Sequence, residues 1–352
     1  MRAIHRVLVP AGLAAILTLG GCGGGTQLSP ANSAASSASH ARAAAPQLNP
    51  ATLPYGAVGG RTIPELRSVS PRAPGWMSPQ AKSGALLYLA SLGTNEIGIY
   101  KQKGANQSPM STITDGLNFP CCMTVDIKGN LYVTNEGANN VSVYPPGATS
   151  PSTVYTTDLS TATDVAVWKD GTIYIPSFNG LANGWVSVYP KGDTSKEYRL
   201  SDFGGGAPLC VALDDSGNLF VMYDLDGSGD SAVNEYAPGA KTGTNLNLNF
   251  KWGAGIQVDK AGDLLVVQQV EPSEILVFPP GATQPSQTIL DPNGDQPFSI
   301  ALDKKSNLLF AADLNQNTVD SFKYPVGTEQ YTIAGGFDNP SGIAVNPPQP
   351  RR

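Results

Sequence analysis

The sequence predicts an all-β fold, a six-bladed β-propeller of four-stranded blades in a ring closed by the C-terminal strand. Three observations predict it: a repeat of about 45 residues, one order of strands and turns inside every copy, and array ends that are complementary fragments of a single copy. The repeat is plainest where NNVSVYPPGATSPS, from Asn139, is echoed by EILVFPPGATQPSQ, from Glu274, with Gly147 and Gly281 134 residues apart. That separation is three periods. Aligned on GNLYV at Gly129, counterparts stand at Gly171, Gly217, Gly262 and Ser306, and GALLYLA at Gly84 joins them. The anchors Tyr88, Tyr132, Tyr174, Phe220, Leu265 and Leu309 are then spaced 44, 42, 46, 45 and 44, six copies without a gap.

Within a copy the first element is a short apolar strand: CMTVD from Cys122, CVALD from Cys210, IQVD from Ile256, IALD from Ile300. A turn of the form Asp-x-x-Gly leads to the second strand, such as NLYVTN. A polar loop leads to a third strand ending in an aromatic at Tyr100, Tyr144, Tyr189, Tyr236, Phe278 or Phe322. A Pro/Gly turn and a more polar fourth strand complete the unit. Period-2 alternation, β-branched residues and turn residues agree throughout. Proline after the third strand cannot donate to a ladder, so it ends the strand and blunts the outer edge.

The first copy begins at its second strand, LLYLAS, while the last is followed by PSGIAVN, Pro340 to Asn346, a first strand with nothing after it. The C-terminal strand is thus expected to complete the N-terminal blade. The motifs DNPSGIAVN, GNLYVTN and NNVSVY resemble NHL-repeat and YVTN-type propellers, and more distantly the six-bladed gluconolactonase-like group, over roughly Gly84 to Pro347. The resemblance is specific to architecture and weak on function.

Outside the propeller, expected over residues 84–347 with a short tail at 348–352, the chain changes character. Residues 1–21 place Arg2 and Arg6 ahead of an apolar run, Val7 to Leu19, too short to span a bilayer. Leu19-Gly20-Gly21-Cys22 resembles the lipobox of bacterial lipoproteins, which implies a signal peptide at 1–21 and lipidation of Cys22. Residues 22–83 then form the lipid anchor and an Ala/Ser/Pro-rich tether too poor in large apolar side chains to fold alone. Its last part, GWMSPQAKSG, carries Trp76 and Met77, which suit docking on the folded domain. The implied location is the bacterial cell envelope, extracytoplasmic, with membrane contact through the anchor only. The formal net charge is −6, and −8 without the two arginines of the leader, which argues against nucleic acid as a partner. The remaining residues suffice for one large core.

Both histidines, His5 and His40, precede the propeller, so Ser-His-Asp and Cys-His catalysis and histidine metal sites are excluded within it. Ligands of such folds sit at the channel mouth. The residues before the first strands are Cys122, Asp164, Cys210, Gly255, Ser299 and Gly342. Those after the second strands are Ser91, Asn135, Ser177, Tyr223, Gln268 and Ala312. The gluconolactonase resemblance implies a divalent cation there, with Asn135 and Asp164 as two ligands. Glu136, the nearest glutamate, falls one position into the outer loop, and Asp224 and Asp313 are one step off register. The bland alternative is polar lining of a water-filled channel.

DLDGSGDSAVNE, from Asp224, matches the spacing of an EF-hand loop: Asp224, Asp226, Ser228, Asp230 and Glu235 at positions 1, 3, 5, 7 and 12, with Gly229 at 6. Ser231 departs from that pattern, and the flanks are strands. The segment is either a structural Ca2+ turn or a solvated hairpin loop. Cys121, Cys122 and Cys210 remain after lipidation, an odd count for an oxidising compartment. Cys121 and Cys122 form either a vicinal disulfide or, with Cys210, buried free thiols. Asp126, Asp214, Asp259 and Asp303 end the first strands and suit Asx turns, with Trp168 in that register in the third blade. The sequence therefore reads as a non-catalytic binding or scaffold module for an unidentified protein, glycan or small molecule at the channel mouth. The alternative is a metal-dependent lactonase or related hydrolase.

Overall fold

The computed structural model describes residues 74–78, 81, 84–179, 183–225, 229–270, 272–290 and 297–349. These residues form six antiparallel sheets arranged as the blades of a propeller, with 3-10 turns the only helical elements among them. Blade two is the simplest: Pro120–Val125, Leu131–Asn135, Asn140–Tyr144 and Thr153–Tyr155, in sequence order from the channel outward. Blades four, five and six repeat that order.

The ring closes as the complementary ends require. Pro340–Asn346 pairs with Leu86–Ser91, Leu86 facing Asn346 and Leu89 facing Ile343, so blade one takes its inner strand from the end of the chain. The Asp-x-x-Gly turns are Asx turns. The Oδ1 atoms of Asp126, Asp214 and Asp259 each accept the backbone N–H groups two and four residues on at 2.8–2.9 Å, whereas Asp303, with Ser306 in place of the glycine, accepts those of Asn307 and Leu308 at 2.6 and 3.0 Å. The twin phrases of the opening repeat are one turn used twice: Ala148 N–H donates to Pro145 O and Ala282 N–H to Pro279 O, both at 2.9 Å, with Gly147 and Gly281 at φ 75° and 77°.

In place of one large core the described residues form six apolar clusters, lying mainly between adjacent blades; the one between blades five and six also takes in Cys121 and Cys122 of blade two. Tyr88, Ile97, Met123 and Val133 join blades one and two, and Leu89, Phe310, Ile333 and Ile343 join blades six and one. The six aromatics that end the third strands are all buried. Four are tyrosines that staple blade to blade, because each hydroxyl donates to the connection arriving from the preceding blade. Tyr144 reaches Asp115 O at 2.7 Å, Tyr100 reaches Gly335 O at 3.5 Å, Tyr189 reaches Thr157 O, and Tyr236 reaches Asp202 Oδ1. The end of the tether docks on blade one: Trp76 and Thr112 exchange backbone hydrogen bonds of 2.9 and 3.0 Å, and Met77 packs on the cluster between blades one and two. That contact covers an outer edge strand of only three residues, Ser111–Ile113.

Candidate functional site at the channel mouth

The inner strands surround a central cavity of about 90 Å3. Its wall includes Cys122, Asp164, Cys210, Gly255 and Ser299 at one level, and Asp214, Asp259, Pro348 and Gln349 towards the other end. A shared irregularity sets the mouth. Four inner strands open with Pro120, Gly253, Pro297 or Pro340 and a fifth carries Pro208 as its second residue, and in each the register slips within the next few residues. Proline lacks a donor and suits the first position of a strand. The extra residue that follows is a β-bulge, which re-aims side chains that a regular strand would send to opposite faces.

Blade three is built differently. Its inner strand is split into Thr161–Ala162 and Ala166–Val167, opposite Pro176 in the second strand, where proline removes a ladder donor. Asp164 fills the gap. Its Oδ1 accepts from Val165 N–H at 2.8 Å and its Oδ2 from Val211 N–H of blade four at 2.9 Å. Burial pushes the Asp164 carboxyl up to about 7 against the lowering effect of those two bonds.

Asn135 and Tyr223 stand on second strands, one strand out from the channel wall, at the strand's end or one residue before it, and are paired with Pro120 and Pro208 of the inner strands. The fully buried Asn135 amide donates to Asn140 Oδ1 at 2.8 Å, to Ser142 Oγ at 3.0 Å and to Gly116 O at 3.3 Å, and accepts from Asn118 N–H at 3.1 Å. The Tyr223 hydroxyl donates to Asn234 at 3.1 Å and accepts from Asn245 at 2.9 Å.

Glu136, expected in the outer loop, is 2% exposed. Its carboxyl lies beside the Cys121 thiol, and Oε1 is buried without a hydrogen-bond partner. Burial raises it to about 7, with the thiol as a weaker lowering influence. Among the described residues, Cys121, Cys122 and Cys210 are in no disulfide. Cys121 Sγ and Cys122 Sγ are 3.7 Å apart, and Cys210 Sγ donates to Ala254 O at 3.0 Å. The bond to Cys122, then burial, then the neighbouring carboxyl of Glu136 hold the Cys121 thiol well above its usual range. For Cys122 the bond from Cys121 lowers the value, but burial with Asp164 and Glu136 nearby raises it further.

In the acidic hairpin, Asp224 pairs with Ser231 across the ladder and accepts the Ser231 hydroxyl at 2.6 Å; Ser231 Oγ in turn accepts from Gly253 N–H. Asp230 forms an ion pair with Lys251 at 3.2 Å. Glu235 faces Phe220, four ladder positions from Asp224, so the two are not brought together. Asp226, Ser228 and Cys22 lie outside the described residues. Among the described residues, no three His, Cys, Asp or Glu side chains converge as metal ligands.

Sequence reasoning missed the buried Glu136 and the bulges. The signal for the bulges was the recurrence of proline at 120, 208, 297 and 340, two residues ahead of the aligned mouth position. Glu136 carried no such signal, since its burial follows from the 3-10 turn Glu136–Ala138 folding back over Cys121.

No protein-family model matches the chain, and comparison with curated proteins found no match. Solved structures do. A chain of the nidogen/laminin complex aligns with a TM-score of 0.63 and 17% identity, covering 76% of this chain and all of that one. Hydrazine synthase of Kuenenia stuttgartiensis aligns at 0.51 and 15%, covering 69% of this chain and 74% of that one. An inactive virginiamycin B lyase of Staphylococcus aureus aligns at 0.48 and 14%, covering 73% and 86%. At these identities the likeness concerns the fold alone.

Proposed function

We propose that this chain is an extracytoplasmic, lipid-anchored propeller acting as a non-catalytic binding or scaffold module. The size of the channel carries the reading: about 90 Å3 is well below the several hundred Å3 typical of pockets that enclose a small organic substrate. A protein or glycan partner would then meet the loops of the mouth face and not the channel interior. The engagement of Asn135 and Asp164 in bonds within and between blades supports the same reading against a lactonase built on those two residues.

The test is a screen of sugar and acyl lactones with calcium, magnesium, manganese and zinc. No turnover is expected. Saturable, chelator-sensitive turnover lost in Asp164→Asn, with the fold retained, would establish a metal-dependent hydrolase instead. The anchor is tested by Cys22→Ser, which should release the protein from membranes. A structural Ca2+ ion in the hairpin would have to rest on Asp224, Asp226, Ser228 and Asp230 without Glu235. It would show as a calcium-dependent rise in the thermal midpoint that Asp226→Ala abolishes, and no rise leaves the solvated hairpin.

A further inference from the structure

The bulge in blade two does something its counterparts do not: it turns two adjacent cysteines towards each other. On a regular strand Cys121 and Cys122 would point to opposite faces of the sheet. Here the pair faces the single residue Thr134, whose hydroxyl donates to Cys122 O at 2.9 Å, and the two sulfurs lie 3.7 Å apart. A disulfide needs about 2.05 Å. Beside them is Glu136, buried and with Oε1 unpartnered, a group whose isolation in the interior is costly unless it has a task. Cys122 forms part of the channel wall, and Cys121 lies behind it, 1% exposed. Any reagent must therefore arrive through the central channel, whose free volume is about 90 Å3.

We propose that Cys121, Cys122 and Glu136 form a peroxide-reactive dithiol site, which hydrogen peroxide entering the channel converts to a Cys121–Cys122 disulfide. In the first step Glu136 takes one proton from the hydrogen-bonded Cys121–Cys122 pair, the Cys122 thiolate attacks one peroxide oxygen, the O–O bond breaks, and the departing hydroxide collects that proton from Glu136 and leaves as water. Cys122 is then a sulfenic acid. In the second step Glu136 takes the Cys121 proton while the Cys121 sulfur attacks Cys122 Sγ. The S–O bond breaks, and the leaving hydroxide collects that proton as a second water. Two thiols are oxidised by two electrons, one peroxide is reduced to two waters, and Glu136 ends as it began. Its role is that of a positioned base, which both raised thiols require.

The site is coupled to ring closure. Ser341 Oγ of the closing strand donates to Pro120 O at 2.8 Å, and Cys121 O lies so close to Gly342 that a β-carbon there would come within 1.8 Å of it. Reorientation of the 121–122 peptide on disulfide formation is therefore felt by the strand that completes blade one.

The experiment treats the folded full chain with hydrogen peroxide or, separately, with oxidised glutathione, then unfolds, alkylates and analyses peptides by mass. Peroxide should give a loss of 2 Da on the peptide containing Cys121 and Cys122, restored by reductant after unfolding, while Cys210 stays alkylatable. Oxidised glutathione, too large for the channel, should leave all three thiols free. Cys121→Ser should stop at a sulfenic acid on Cys122 that a dimedone reagent traps. Glu136→Gln should retain the fold and slow disulfide formation at least tenfold. Full alkylation of both cysteines after peroxide, or a glutathione adduct on Cys122, would overturn the proposal. So would an unchanged rate in folded Glu136→Gln.

Discussion

Two carboxyls, the buried Glu136 and the half-buried Asp164 of the channel wall, pull stability with pH in the direction opposite to that of most acidic proteins. Each is raised to about 7 by burial, whereas in the unfolded chain each titrates near about 4. Between those values the folded state holds protons that the unfolded state has lost, so stability falls as pH rises from about 4 to 7 and levels off above. Each carboxyl contributes up to about 4 kcal/mol to that fall. Thermal melting is therefore expected to give a higher midpoint at pH 5 than at pH 8. Glu136→Gln should flatten the difference by removing one of the two protons. A midpoint that rises with pH, or a Glu136→Gln profile parallel to the parent's, would contradict the assignment. Asp164 was legible in the sequence as a polar residue at the mouth. Its task was not, because a carboxylate accepting Val165 and Val211 N–H groups depends on the ladder that Pro176 interrupts on the neighbouring strand.

At the scale of the element, the strands were legible because apolar alternation and turn chemistry agreed, and Asp126, Asp214 and Asp259 form the Asx turns their spacing implied, while Asp303 bonds further along, to Asn307 and Leu308. The bulges were not legible, although their prolines were. The alignment placed Asn135 and Tyr223 at the ends of second strands, and the pairing sets them opposite Pro120 and Pro208. The closing strand shows how tightly a bulge can bind its neighbour. Gly342 sits against Cys121 O, a backbone atom that cannot rotate away, so even a methyl group is too large. Gly342→Ala should cost at least about 3 kcal/mol, at the upper end for overpacking, and lower the thermal midpoint by several degrees. A variant within 1 °C of the parent (about 0.3 kcal/mol or less) would mean that blades one and two do not meet as described.

At the scale of the molecule the period of about 45 residues fixed six units, and two incomplete ends implied closure, so architecture could be read without a template. What the repeat could not convey is that the core is divided. Because the apolar clusters lie mainly between adjacent blades, each blade depends chiefly on its neighbours for burial, although Cys121 and Cys122 of blade two also reach the cluster of blades five and six. Function was legible least of all, since the residues of the mouth differ from blade to blade while the repeat records only what the blades share. Closure is the claim on which the channel, the mouth face and the dithiol site all depend, and its most direct measurement is the thermal unfolding of the chain truncated after Gly336. The truncation removes Ile343, Ala344 and Val345 from their places opposite Leu89, Tyr88 and Leu87 and exposes the edge of blade one. Loss of the cooperative transition, with aggregation, is the expected result; a transition at the midpoint of the full chain would contradict the closed ring.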